Sequence, residues 1–208
     1  MTSDRAYHHG DLRRAVLTAA LDTIAADGPD ALSLRSLARR AGVSHSAPAH
    51  HFKDRTGLLT AVAAEGYALL ADALTEAPDL RERGVAYVRF AIGHPAHFQV
   101  MFRPELHHAD DPALLAGKAR ATDALRAGIS GLPETARGDD ERLAGIAAWS
   151  LAHGFATLLL SGSLDEPVGG RDPGDVFRAL AASTFARGAG QDAARDAHQA
   201  PGHGQDGG

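Results

Sequence analysis

Three cations and a run of short polar side chains between residues 33 and 55 are the groups here best suited to meeting a polyanion. Arg35, Lys53 and Arg55 can clamp phosphate oxygens, and the Ser33 and Ser44 hydroxyls can add hydrogen bonds to the same backbone. Between them runs Ser44-His45-Ser46-Ala47-Pro48-Ala49-His50-His51. Serine and histidine hydrogen-bond base edges and alanine meets a thymine methyl, so His45, Ser46, Ala47, Ala49 and His50 are the candidate base readers. Catalytic chemistry is poorly supplied. The chain has no cysteine, no glycine-rich phosphate loop, no G-x-S-x-G elbow and no H-E-x-x-H pair.

Such groups work only if rigid elements hold them. Leu34, Leu37, Ala38 and Ala41 fall at i, i+3, i+4 and i+7, one apolar face of a helix. Gly42 ends it, since glycine enters positive φ without a Cβ clash. Val43 tucks into the core beside the turn, and Ser44 is a good N-cap for a second short helix. Pro48 lies early enough in that helix to spare its hydrogen bonds, and Phe52 packs beneath the turn. Helix, glycine turn, second helix is the layout of a DNA-binding helix-turn-helix.

Strand signals are scarce and helical periodicity runs through most of the chain, so the fold class is all-α. Helices are predicted over 10–27, 34–41, 45–51, 55–76, 79–93, 96–103, 111–130, 139–162 and 173–188. Gly28-Pro29 and Pro78, Pro95, Pro104, Pro112 and Pro133 punctuate them. The expected division is a three-helix unit over 1–54, a larger helical body over 55–188 and a disordered tail over 189–208, which lacks apolar residues to bury.

The net charge of −5 looks wrong for a partner of nucleic acid until it is divided. Residues 1–60 hold eight Lys/Arg against six Asp/Glu, whereas residues 61–208 hold thirteen against twenty. Phosphate contact needs a basic face, not a basic protein. No uninterrupted apolar run reaches the length of a membrane span and no apolar leader opens the chain, so a cytoplasmic protein without a membrane partner is expected. No cofactor is expected either.

Ser33-Leu34-Arg35, Ala41-Gly42-Val43-Ser44, His51-Phe52, Arg55 and Leu58-Leu59 stand in the order and spacing of a known pattern. With them the chain resembles the TetR family of bacterial transcriptional regulators. Ala49 stands where that family usually carries a tyrosine that reaches a phosphate, so either affinity is lower or the contact shifts onto His50 and His51. The resemblance implies a homodimer on double-stranded DNA at a palindromic operator, most commonly as a repressor. Further on, Trp149, His153 and Gly154 give the spacing W-x-x-x-H-G. With Phe90-Ala91, His94-Pro95-Ala96-His97-Phe98 and Met101-Phe102 they resemble the family's Trp-His-Gly ligand-domain subgroup, which implies a small-molecule effector.

Trp149 and His153 are i and i+4, and Phe98, Met101 and Phe102 share a face of a neighbouring helix, so these five are the candidate ligand contacts. The same stripe is also what plain core packing would look like. Ile146, Ala147, Leu151, Phe155, Leu158 and Leu159, with Val176, Phe177, Leu180 and Phe185, exceed what one stripe needs and mark a dimer surface. Two other readings compete. His94, His97, His107 and His108 could meet at a metal ion in a metal-sensing regulator, although the proline breaks between them make no metal site the expectation. A DNA-binding protein without an effector is the other. Catalysis is not expected: Glu105 and His108 form one E-x-x-H, where a di-iron bundle needs two and further glutamates.

Overall fold

The computed structural model describes residues 3–132 and 140–184. Ten α-helices and no strand occur among the described residues. They are α1 (Ser3–Asp27), α2 (Leu34–Arg40), α3 (Ala47–Phe52), α4 (Arg55–Glu76) and α5 (Leu80–Gly93). Then come α6 (Pro95–Met101), α7 (Pro112–Ser130), α8 (Glu141–Leu160), α9 (Asp165–Val168) and α10 over 173–184. Single 3-10 turns at Pro29–Ala31 and Pro104–Leu106 follow α1 and α6; neither they nor α9 were foreseen from sequence. The expected tail over 189–208, Phe185 and Pro133 lie outside the described residues.

The head is built as its periodicity demands. Val16, Leu17, Ala20 and Ile24 of α1 pack on Leu37 of α2, Phe52 of α3 and Leu58, Leu59 and Val62 of α4. Each such side chain withdrawn from water contributes about 1.5–3 kcal/mol before entropy is charged against it. Arg13 of α1 lies over the Phe52 ring, 5.4 Å from its centre. The turn between α2 and α3 has the two bonds of a Schellman closure. Gly42 N–H donates to Arg39 O at 3.3 Å and Val43 N–H to Ala38 O at 3.0 Å. Gly42 sits at φ 66, the left-handed conformation that this closure requires.

This head core does not close on its own residues. Ala96 and Val100 of α6, Leu106 after it and Leu114 of α7 belong to the same apolar cluster. Asp30 reinforces the joint, lying 3.4 Å from Arg55 and 3.5 Å from Arg103. A second core fills the body, with Leu70 and Leu74 of α4, Val85 and Val88 of α5, and Phe98 and Met101 of α6. Phe155 of α8 and Phe177 of α10 complete it. Arg178 of α10 forks onto Glu82 of α5 at 2.7 and 3.0 Å.

Two helices, α4 and α8, are long and apolar enough to cross a membrane by length and composition. That corrects the expectation that none would be: polar residues interrupt each run without lowering its average. Half of the apolar window of α4 is buried inside the protein, but only 17% of that of α8.

Candidate nucleic-acid interface and ligand cavity

The head presents Ser33, Arg35, Ser44, His45, Ser46, Ala49, His50 and Lys53 as exposed residues, with His51 half-buried. Arg35 and Arg39 are i and i+4 on α2 and both are exposed, so they share one face. Arg39 was missed in the sequence because it completes no motif. One expected contact is corrected and another is shared with the fold. Ala47 is only 8% exposed, since it opens α3 against the head core, and it cannot offer its methyl to a base. Arg55 is partly taken up by the fold: its Nη2 donates to Pro29 O at 2.7 Å, tying the start of α4 to the loop after α1, while its side chain stays 36% exposed.

The cap of α3 also moves. Ser46, not Ser44, is the residue before the helix, and its hydroxyl makes no capping bond. Ser44 instead holds a preceding turn, its carbonyl accepting from Ala47 N–H at 3.0 Å. Pro48 takes the second helical position, where its missing N–H leaves no intrahelical bond unmade.

At the far end of α3 the backbone is strained. Lys53 has φ 64 and ψ −62, and Asp54 N–H donates to Phe52 O across it at 2.8 Å. That is a γ-turn of the rarer sense, in a region that costs a side-chain-bearing residue about 1–3 kcal/mol. Asp54 then caps α4, accepting from Gly57 N–H at 2.7 Å. That bond is the main reason its carboxyl titrates below the usual carboxylate range. The turn aims the Lys53 stem outward beside α3. Lys53→Gly is expected to raise stability by about 1 kcal/mol, because glycine enters this region freely and the relief exceeds its added entropy cost. The same change should flatten the salt dependence of DNA binding by about one unit of slope. Urea melts and a salt titration read the two opposite effects; a destabilised variant would contradict the strain.

The body is hollow. A cavity of about 900 Å³ lies between α4, α5, α7, α8 and α10. Tyr67, Leu70, Leu74, Tyr87, Ile129 and Ala152 form part of its wall, with Phe102 and Trp149. Of the five expected ligand contacts, Phe102 and Trp149 therefore reach it, and Phe98, Met101 and His153 are not among its wall residues. The correction has a packing cause. Met101 is 1% exposed and sits against Gly66 of α4, where an added Cβ would lie 2.6 Å from its sulfur. Phe98 stacks on His153 with ring centres 5.4 Å apart.

His153 nevertheless shapes the wall. Its Nδ1 lies 2.8 Å from the Tyr87 hydroxyl, and burial holds its pKa below the ordinary value. Burial raises the Tyr87 phenol well above its own, so near neutral pH the pair is uncharged. Tyr67 is pushed up to about 12 by the same cause and donates to Met101 O at 3.1 Å. Tyr67, Tyr87 and Arg83 were missed as wall residues, since their partners lie 34 to 66 positions away in sequence.

Of the four histidines considered for an ion, His94 and His97 lie together with ring centres 5.6 Å apart, whereas His107 and His108 are held by other partners. His107 Nε2 is 2.8 Å from Val100 O, and His97 lies by Glu65 at 3.9 Å. His108 Nε2 faces Asp54 at 3.7 Å. No group of three or more metal-ligating side chains occurs among the described residues.

A three-helix head with an exposed helix-turn-helix, carried on a helical body with a half-open cavity, defines a class of DNA-binding transcriptional regulator. Comparison with known proteins agrees. Residues 16–62 match the model for bacterial regulatory proteins of the tetR family, and residues 80–184 match the tetracyclin repressor-like C-terminal domain. The chain belongs to the TetR family of transcriptional regulators. A solved Rhodococcus sp. RHA1 protein of unknown function is 35% identical, over 88% of this chain and 97% of that one, with a TM-score of 0.69. The TetR family regulator PfmR from Thermus thermophilus shares the fold at 24% identity and a TM-score of 0.58, over 79% of this chain and 93% of its own. A tetR family regulatory protein from Rhodococcus RHA1 shares it at 22% identity and a TM-score of 0.64, over 86% and 95%. No curated protein matches the chain.

Proposed function

We propose that this regulator is a cytoplasmic, ligand-responsive repressor that grips a palindromic operator as a homodimer. The observation that carries the reading is the joining of an exposed, basic and hydroxyl-bearing head to a 900 Å³ cavity by helices common to both. Arg35, Arg39 and Lys53 take phosphates, with Ser33 and Ser44 beside them. His45, Ser46, Ala49 and His50, at the start and outer side of α3, read bases, and His51 supports them in place of the family's tyrosine. The W-x-x-x-H-G spacing of Trp149, His153 and Gly154 supports reading the body as a Trp-His-Gly type of ligand domain.

The dimer reading rests on α8. Its side toward the core carries Ala152, Phe155 and Ala156, and its other side leaves Leu143, Ile146 and Leu158 at 63%, 58% and 49% exposure, with Ile146 also at the edge of the cavity. Ala147, Ser150 and Gly154 lie between those three on that side, and their small side chains let a second helix approach closely. Leu180 of α10 is exposed beside them in the reading of a four-helix contact, two helices from each subunit. Phe155 and Phe177, expected there from sequence, are turned inward and meet edge to face at 5.6 Å. A two-fold pair presents two copies of α3, hence an operator of two half-sites about 34–36 Å apart.

Helix α6 is the candidate coupling element. Ala96 and Val100 pack in the head core, Phe98 and Met101 pack in the body core, and Phe102 at its end lines the cavity. A ligand that displaces Phe102 would move α6 against α1, and it releases DNA if it binds the shifted arrangement more tightly.

Selection of bound fragments from random duplexes tests the reading directly, with an imperfect palindrome expected. With the selected site, Arg35→Ala should weaken binding to every sequence alike and reduce the salt slope by about one unit. Unchanged affinity and slope would remove Arg35 from the interface.

A further inference from the structure

The cavity wall is lopsided in charge. Arg81, Arg83, Lys118, Arg126 and Arg142 line it against the single carboxylate of Glu141. Arg81 and Arg142 are exposed to solvent, and several of the other polar groups are already engaged. Arg126 pairs with Asp123 at 3.0 Å, and Lys118 Nζ lies 5.5 Å from the centre of the Tyr67 ring. The Tyr67 hydroxyl is bound to Met101 O, and that of Tyr87 to His153.

Arg83 differs. Its Nη1 donates to the Ala124 carbonyl on α7, whereas its Nε is buried without a partner. Three buried side-chain nitrogens lack partners among the described residues; the other two belong to His97 and His107, which do not line the cavity. Leaving such a charged donor unmet costs more than the about 1–3 kcal/mol of a neutral one, and an acceptor carried by a ligand would recover that loss. The guanidinium is also held in place beforehand. Its stem crosses α7 at Gly128, where an added Cβ would lie 2.9 Å from both Arg83 Cδ and Nη1.

We infer that the cavity takes an apolar organic acid. Its carboxylate pairs with the Arg83 guanidinium, reaching Nε once the ligand displaces the packing that covers that atom, and its hydrocarbon body runs along the apolar wall toward Tyr67, Phe102 and Trp149. A cationic amphiphile of the same shape would meet the lining arginines and the lysine at close range. The volume suits a ligand of this kind, since small-molecule sites span about 300–1,000 Å³. The inference rests on the ligand-responsive reading above and names the chemistry of that ligand.

Trp149 is the chain's only tryptophan and lies in the cavity wall, so its fluorescence reports occupancy without reference to DNA. The test titrates the purified full chain with straight-chain carboxylates of eight, twelve and sixteen carbons below their micelle concentrations. The matching alcohols and dodecyltrimethylammonium follow under the same conditions. At least one acid should saturate the signal, bind about tenfold or more tightly than its alcohol, and leave the ammonium compound without effect. Arg83→Gln should reduce acid binding to the level of the alcohol and leave alcohol binding within about twofold. Alcohol and acid of equal affinity in the parent, no binding of any acid, or acid binding indifferent to Arg83→Gln would each overturn the inference. The comparison in the parent needs no variant and survives a variant that fails to fold. An acid that fills the cavity yet leaves DNA affinity unchanged would uphold this inference and sink the effector role.

Discussion

Replacing Leu143 and Leu158 together by glutamate is expected to yield a folded monomer whose operator affinity is about 100-fold lower or worse. Both leucines are largely exposed on α8 and neither lines the cavity, so their loss removes nothing from either core. Substitutions at such positions ordinarily change the stability of a single subunit by no more than about 0.5 kcal/mol. In a two-fold pair each carboxylate would instead be pressed into an apolar contact already lined by its own symmetry copy, where unpaired charge is costly. Losing the pair converts a two-site grip into a one-site grip, and linked sites gain about 10²–10⁴ in apparent affinity over single ones. Sedimentation should show a monomer at micromolar concentration, circular dichroism an unchanged helix content, and gel shifts a much weaker complex. A variant that stays dimeric would move the interface away from α8.

Gly57→Ala should destabilise the protein by about 3 kcal/mol or more, against the usual sign for such a change. In an exposed helix interior, glycine to alanine gains about 0.8–1 kcal/mol. Here the new Cβ would stand 2.0 Å from Phe52 O and 3.2 Å from its carbonyl carbon. That oxygen cannot swing aside freely, because it also accepts from Asp54 N–H within the γ-turn. Moving Gly57 instead pulls on the Asp54 cap that its own N–H completes. Either relief dismantles the corner joining α3 to α4, so DNA affinity should fall together with the melting temperature. A variant as stable as the parent would show that the corner relaxes cheaply.

Much of the fold was legible because its signals are local. The spacing of Leu34, Leu37, Ala38 and Ala41 and the glycine after them specify the helix-turn-helix, and Gly42 adopts the left-handed conformation that the turn required. Proline positions set most later boundaries within a few residues. The head's contact face was legible in part, since exposure follows from helix phase once a helix is placed. Ala47 was misassigned and Arg55 carries a duty that went unseen, because each answers to something the pattern omits: the two-residue later start of α3, and a carbonyl 26 positions away. The cavity was the least legible feature. Periodicity says that Phe98, Met101 and Phe102 share a face; it does not say that Gly66 lets Met101 sink while Phe102 stays at the rim. Arg83 carries no periodic signal at all, and its unmet nitrogen emerges only when α5 and α7 are brought together.

The borrowed shelf beneath the head sets how such a protein can change over generations. Because Ala96, Val100, Leu106 and Leu114 finish the packing of the first three helices, those helices are not an interchangeable cartridge. Transplanting them onto a foreign body would leave oily side chains bare unless the recipient supplied a matching ledge. New operator preferences are therefore reached more readily by altering outward residues of α3 one at a time than by trading whole heads between relatives.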